Sequence, residues 1–254
     1  MKSQVPPPAH RVFVRTNELA SPLSLNKGEV HVWKAAIQQA SSMMAYLSSI
    51  LSPDERARAT KFVFERDRNR FASSRAFLRL ILARYLGMKP AEIVLVYDSY
   101  GKPSLSPLQN CEGLSFNLAH SGNRAVYALA RKVQIGIDIE QCRNDVAVEE
   151  LAERFFSKRE SSALRCLPED ERREAFFRCW TRKEAYLKAL GQGLFVPLES
   201  FTVSVKPNES PILLEALPSD NQSDWTMMDL PTDTGFMAAL AVQLKQPEVV
   251  FWEF

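Results

Sequence analysis

The sequence predicts an α+β protein of two similar lobes, each a long helix packed on a small antiparallel sheet, pseudo-two-fold related, with the site in the cleft between them. Two long helical patterns, about 65–86 and 168–190, both stop at a glycine, Gly87 and Gly191. Each half runs strand, helices, then short strand-like stretches divided by turn residues. The 254 residues, 46% of them hydrophobic, suffice for one large domain or two smaller ones. We divide the chain into an extended or partly ordered N-terminal extension (1–28), an N-terminal lobe (29–132) and a C-terminal lobe (133–254). A ligand then fits best in the groove between lobes.

In chain order, residues 29–37 alternate as a strand does, and Ser52–Glu55 (S-P-D-E) makes a capping box with proline at the first helical position. Phe71, Phe77, Leu78, Ile81, Leu82 and Tyr85 mark the first long helix, which Gly87 ends ahead of Pro90. A short strand at 93–97 precedes the turn-rich D-S-Y-G-K-P-S-L-S-P. Residues 114–120 and 124–130 read as a hairpin, and 133–140 as the next strand. Two helices at 146–156 and 157–167 follow, the second opened by Ser157 and Glu160 as a capping box, and then the long helix to Leu190. Four strand-like runs complete the chain: 201–207, 211–217, 224–230 and 235–244.

A net charge of +2 gives no signal for nucleic acid, but Arg56–Arg84 is a basic block that fits an anion of limited size. Most of its arginines read as solvated helix face. The cysteines, Cys111, Cys142, Cys166 and Cys179, have neither zinc nor disulfide spacing. The first residues lack the apolar core of a signal peptide, and no apolar run is long enough to span a membrane. These features point to a cytoplasmic protein without nucleic-acid or membrane partners.

Gly136-Ile-Asp-Ile-Glu140 lies on a strand, so Gly136, Asp138 and Glu140 share one face. Its two carboxylates, about 7 Å apart along the strand, repel unless a cation lies between them. Gly136 on that face leaves room for a bulky ligand. Trp180, Glu184, Leu187, Lys188 and Gly191 fall on or near one helical stripe. Glu184 before Lys188 has the spacing of an ordinary surface ion pair, and Asp138 and Glu140 alone fit a solvated strand end. Taken together, Asp138, Glu140 and Glu184 make an all-oxygen set suited to Mg²⁺ or Mn²⁺. His120 ends a strand beside Ser121 and Gly122, and Lys102 stands on a Gly/Pro turn; either can serve an anion. Acids for a divalent cation, ringed by scattered bases, describe a site for a phosphate-rich small molecule. Neither a P-loop nor a dinucleotide fingerprint is present.

G-I-D-I-E at 136–140, followed by W-x-x-K-E-x-x-x-K at 180–188, resembles the 4′-phosphopantetheinyl transferases, in their long, two-lobed, surfactin-synthetase-activator class. F-N-L-A-H-S (116–121), G-K-P (101–103), R-F-F-S-K-R-E (154–160) and S-P-D-E-R-x-R-x-x-K-F (52–62) fit in the same order, so the resemblance spans roughly 29–245. It implies a monomer that binds coenzyme A with Mg²⁺ and transfers its phosphopantetheine arm to a serine of an apo acyl- or peptidyl-carrier protein, releasing 3′,5′-ADP. Asp138, Glu140 and Glu184 would hold the metal, Glu184 would be the base, and Lys188 would neutralise the phosphates. Arg58, Lys102 and His120 would contact the nucleotide's phosphates, and the backbone around Tyr97–Lys102, with Gly101, and around Asn117–His120 would cradle the adenosine. Some relatives carry a lysine where Glu55 stands and a small hydroxyl residue where Phe71 stands. Here Glu55 reads as a cap, and Arg56, Lys61 or Arg70 supplies the missing charge. Arg154–Arg159 with Phe155 and Phe156 is the candidate partner surface, unless both phenylalanines are core. Two rivals are a metal-dependent nucleotide phosphohydrolase and a non-catalytic binding module.

Overall fold

A computed structural model describes residues 11–15, 22–37, 41–191, 196–218 and 220–254. Most of the N-terminal extension, including Pro6–Pro8, lies outside them, but Arg11–Arg15 forms strand β1. The N-terminal lobe continues with β2 (Glu29–Ala36), α1 (Ser41–Ser49), α2 (Pro53–Ala59), α3 (Glu65–Leu86), β3 (Leu95–Tyr97), β4 (Pro103–Leu105), β5 (Leu114–Ser121) and β6 (Arg124–Arg131). Then come β7 (Ile135–Gln141), α4 (Val148–Phe155), α5 (Lys158–Arg165), α6 (Glu169–Leu190), β8 (Thr202–Val203), β9 (Leu213–Glu215), β10 (Thr226–Asp229), β11 (Phe236–Val242) and β12 (Glu248–Glu253).

The fold is α+β with two lobes. One sheet has the order β1-β12-β2-β6-β5, the other β10-β11-β7. The second is antiparallel throughout. The first is mixed, because β12 returns from the end of the chain and lies parallel to both β1 and β2. The division at 132/133 therefore leaves one strand crossing back. The spacing of polar and apolar residues did not show β1, α1, β4 or β12, and β8 and β9 are shorter than the runs that suggested them. Each long helix stops as its glycine requires: Gly87 and Gly191 both adopt the left-handed conformation, at φ 63° and 69°.

The two lobes seat their helices differently. Large residues, Trp33, Tyr127 and Phe116, pack under α3, and Tyr127 Oη donates to Ser74 O at 3.0 Å. Under α6 lie small ones, Ala239 and Ala241, facing Ala185 and Ala189. At Gly136 the approach is closest. A Cβ there would sit 2.0 Å from Ala185 O and 2.4 Å from Ala189 N. The space expected beside Gly136 for a ligand is thus filled by the helix itself.

The basic block is also less solvated than the sequence suggests. Arg75, Arg79 and Arg84 are buried, since α3 runs through the middle of its lobe. Arg79 Nε donates to Glu55 Oε2 at 2.6 Å, and its Nη1 to Pro90 O and Ile93 O. Glu55 also accepts from Ser52 N as the cap predicts. It is closed off from any ligand.

A third core, with Val32, Val126, Ala128, Ile135, Ile137, Ile139 and Leu240, lies between the sheets and joins the lobes. Edge strands β5 and β7 meet there: Asn117 Oδ1 accepts from Ile137 N at 2.9 Å, and Ser121 Oγ accepts from Gln141 N at 3.1 Å.

Candidate active site

Where β7 passes under α6, the face that carries Gly136 also carries Asp138 and Glu140. The tight seat at Gly136 fixes the helix along the strand, so Lys188 comes opposite Asp138. Lys188 Nζ donates to Asp138 Oδ1 at 2.5 Å. The i,i+4 pairing of Lys188 with Glu184 is not formed; Lys188 reaches the strand instead. Asp138 is 3% exposed, and its second oxygen, Oδ2, is buried without a hydrogen-bond partner among the described residues. Glu184 makes no hydrogen bond or ion pair among the described residues, whereas Glu140 Oε2 accepts from Ser121 Oγ at 2.8 Å.

The three carboxylates feel one another. Burial raises the Asp138 carboxyl above its ordinary value, against the pull of Lys188. Burial and then Asp138 raise both Glu140 and Glu184. Burial works against the Lys188 ammonium, but Asp138, Glu184 and Glu140 together hold its pKa above the usual lysine value. Three acids around one ammonium leave negative charge uncompensated.

His120 lies near the end of β5, its imidazole pushed down by desolvation and then by the charges of Lys188, Arg75 and Arg70. Arg75 is 8% exposed, and its Nη1 is buried with no hydrogen-bond partner among the described residues. It lies over the Phe71 ring at 5.6 Å, with Arg58 on the same ring at 5.5 Å. Phe71 is thus a shelf for two guanidinium groups. Neither Arg56, which donates to Leu51 O, nor Arg70, paired with Asp67 at 3.5 Å, is as free as Arg75. Lys61 is exposed on the α2–α3 corner.

The remaining expected residues line the cleft. Gly101, Lys102, Asn117, Glu184, Leu187 and Lys188 border a space of ≈ 270 Å³. Gly101 has φ +82° in a turn that Asp98 organises by accepting from the backbone of Tyr100 and Lys102. Asn117 uses its side-chain oxygen to tie β5 to β7. Lys102 does not point at the acids: its ammonium donates to Lys188 O and Ala189 O. Beyond Glu184 a second, mostly apolar space of ≈ 580 Å³ is lined by Phe155, Trp180, Leu187, Val196 and Leu198. Phe156 is core, stacked on Phe176 at 5.2 Å, and Phe155 alone reaches this wall, with Arg154 over its ring.

Among the described residues no three acid, histidine or cysteine side chains are drawn together as a finished ligand set. The donors nevertheless suit a hard divalent cation: all oxygen, one with no other partner, and two more on raised, unpaired or singly bonded carboxylates. No strand or helix pattern pointed to Arg75 or Ser121. Arg75 follows Phe71 by one helical turn, which was the available signal; Ser121 adjoins His120 at the strand end.

A family model described as the 4′-phosphopantetheinyl transferase superfamily matches residues 134–241, and one described as 4′-phosphopantetheinyl transferase, N-terminal, matches residues 32–132. The chain is 41% identical over 232 residues to the 4′-phosphopantetheinyl transferase HetI of Nostoc sp., covering 91% of this chain and 95% of that one. It is 32% identical to the 4′-phosphopantetheinyl transferase Sfp of Bacillus subtilis, covering 79% and 86%. To the L-aminoadipate-semialdehyde dehydrogenase-phosphopantetheinyl transferase of Mus musculus it is 29% identical, covering 76% and 67%.

Proposed function

The chain belongs to the 4′-phosphopantetheinyl transferases, and from that premise we propose how its own residues carry out the transfer. Such an enzyme moves a phosphopantetheine arm to a carrier protein. Here the donor is coenzyme A and the acceptor a serine of an apo acyl- or peptidyl-carrier protein. The serine Oγ forms a bond to the β-phosphorus, the bond from that phosphorus to the bridging oxygen breaks, and 3′,5′-ADP leaves. Asp138, Glu140 and Glu184 would hold Mg²⁺ or Mn²⁺, which would supply positive charge to the pyrophosphate. Glu184, which makes no hydrogen bond or ion pair among the described residues, takes the serine proton. Lys188 moves from Asp138 to the phosphates and steadies the charge on the departing oxygen. The backbone at Gly101 and Asn117 cradles the nucleotide. Arg75 and Arg58, backed by Phe71, and His120 receive the 3′-phosphate. The apolar wall beyond Glu184, with Phe155 and Trp180, accommodates the arm. The enzyme works as a cytoplasmic monomer.

The observation that carries this reading is the buried, unpartnered Asp138 Oδ2 beside two more carboxylates. A hydrolase could use the same acids, so the test is product-specific. Incubated with coenzyme A, Mg²⁺ and a purified apo-carrier protein, the enzyme is expected to add the mass of one phosphopantetheine to the carrier. A chelator should stop this, and Mg²⁺ or Mn²⁺ should restore it. Coenzyme A cleaved with the carrier unmodified would indicate the hydrolase; coenzyme A bound but unchanged would indicate a binding module.

A further inference from the structure

Lys102 stands on the turn that joins β3 to β4 in the N-terminal lobe, and α6 belongs to the C-terminal lobe. Its Nζ donates to Lys188 O at 2.5 Å and to Ala189 O at 3.3 Å. We propose that Lys102 is a positioning residue that latches the two lobes, holding the last turn of the catalytic helix so that Lys188 and Glu184 face the cleft at a fixed width. The final carbonyls of a helix lack partners within it, and they form the negative end of its dipole. A lysine ammonium answers both needs at once. The local chain is built for this presentation. Asp98 Oδ1 accepts from both Tyr100 N and Lys102 N, Asp98 N donates to Lys102 O, and Gly101 takes the left-handed conformation that the tight turn requires. On the helix side, Gly191 N donates to Leu187 O, and the stem of Lys102 passes 3.7 Å from where a Gly191 side chain would start. A bulkier residue at 191 would compete for the place the latch occupies. Burial at the lobe boundary lowers the Lys102 pKa, against the pull of Asp98.

Lys188 is consequently held at two points. Its side chain is held by Asp138 of β7 and its carbonyl by Lys102 of the opposite lobe. When its ammonium turns to a phosphate, the backbone anchor remains.

The test separates a latch from a phosphate ligand and does not depend on the reaction for its first readout. Amide hydrogen exchange is followed in the full-length, ligand-free chain for the wild type, Lys102→Met and Lys102→Arg. Lys102→Met should exchange about tenfold faster at residues 188–191, and Lys102→Arg should restore most of the protection. In the transfer assay, Lys102→Met should lower kcat about tenfold while the KM for coenzyme A changes less than about threefold. Unchanged exchange with a raised KM would make Lys102 a phosphate ligand and overturn the proposal. So would faster exchange with normal kcat, since the latch would then position nothing. Failure of wild-type transfer alone would count against the reaction assigned above and leave the exchange result standing.

Discussion

Lys183 and Lys188 stand on the same helix, and each faces a buried carboxylate, but their surroundings are opposite in kind. Lys183 Nζ donates to Glu160 Oε1 and Oε2 at 2.6 and 2.8 Å and to Phe201 O at 2.7 Å, and it lies 4.1 Å from the Phe201 ring centroid. Glu160 also accepts from Val203 N and Ser157 N. Both side chains are 0% exposed. Lys188, in contrast, has one carboxylate partner and is 31% exposed, and Asp138 keeps one oxygen without a partner. The first pair is closed: each donor and acceptor is used within the protein, and the pair ties α5, α6 and β8 together. The second is open, with capacity left for something that arrives. Buried polar groups normally find partners. A half-satisfied pair at a cleft therefore indicates binding chemistry, and a fully satisfied one indicates architecture, although both motifs look equally distinctive in the sequence.

The sharpest way to break this distinction is at the open end. Glu184→Gln keeps the shape of the side chain and removes the base. We expect transfer to fall by about 10²–10⁴-fold with the unfolding temperature little changed. A variant with near-wild-type rates, measured by intact mass of the carrier, would remove Glu184 from the mechanism. At the closed end, Lys183→Met leaves Glu160 charged in the core without its main partner. Denaturant unfolding should show a loss of about 3–5 kcal/mol. A loss below about 1 kcal/mol would mean that the pair is no structural tie.

His31 offers a second closed site. Its Nδ1 meets Tyr85 Oη at 2.7 Å, Trp33 Nε1 donates to the same oxygen, and burial lowers the imidazole to a pKa of about 4. The folded value lies below the unfolded one, so the fold favours neutral His31. Its contribution is complete above about pH 6.5 and is lost as the pH falls toward 4, at most about 3 kcal/mol. His31→Gln should flatten stability across that window relative to the wild type; parallel pH profiles would contradict this. The smallest effect is expected at the phosphate wall. Arg75→Ala should raise the KM for coenzyme A about 10-fold while scarcely changing that for 3′-dephospho-coenzyme A. An equal change for both would place Arg75 elsewhere on the nucleotide.

These residues were unequally legible in the sequence. α3 and α6 follow from apolar spacing and a terminal glycine, and the strand face that carries Asp138 and Glu140 follows from simple alternation. Register across elements does not follow from either. Whether Lys188 meets Glu184 one turn away or Asp138 on β7 depends on how closely α6 sits, and Gly136, whose missing side chain suggests room for a ligand, sets that distance. The parallel pairing of β12 with β2 spans nearly the whole chain, and no local pattern encodes such a neighbour. Arg75 was obscured by company: among so many arginines, only the packing of α3 separates the buried Arg75, Arg79 and Arg84 from those that face solvent, and only the contact with Phe71 sets Arg75 beside Arg58.

The most direct test of the account sets one carboxylate of each pair against the other. Transfer per folded molecule is measured, below both unfolding midpoints, for Asp138→Asn and Glu160→Gln. The account predicts that Asp138→Asn keeps its stability and loses transfer, whereas Glu160→Gln loses stability and keeps most of its transfer per folded molecule. The reverse pattern, or equal loss of transfer in both, would contradict the assignment of the open pair to chemistry and the closed pair to structure.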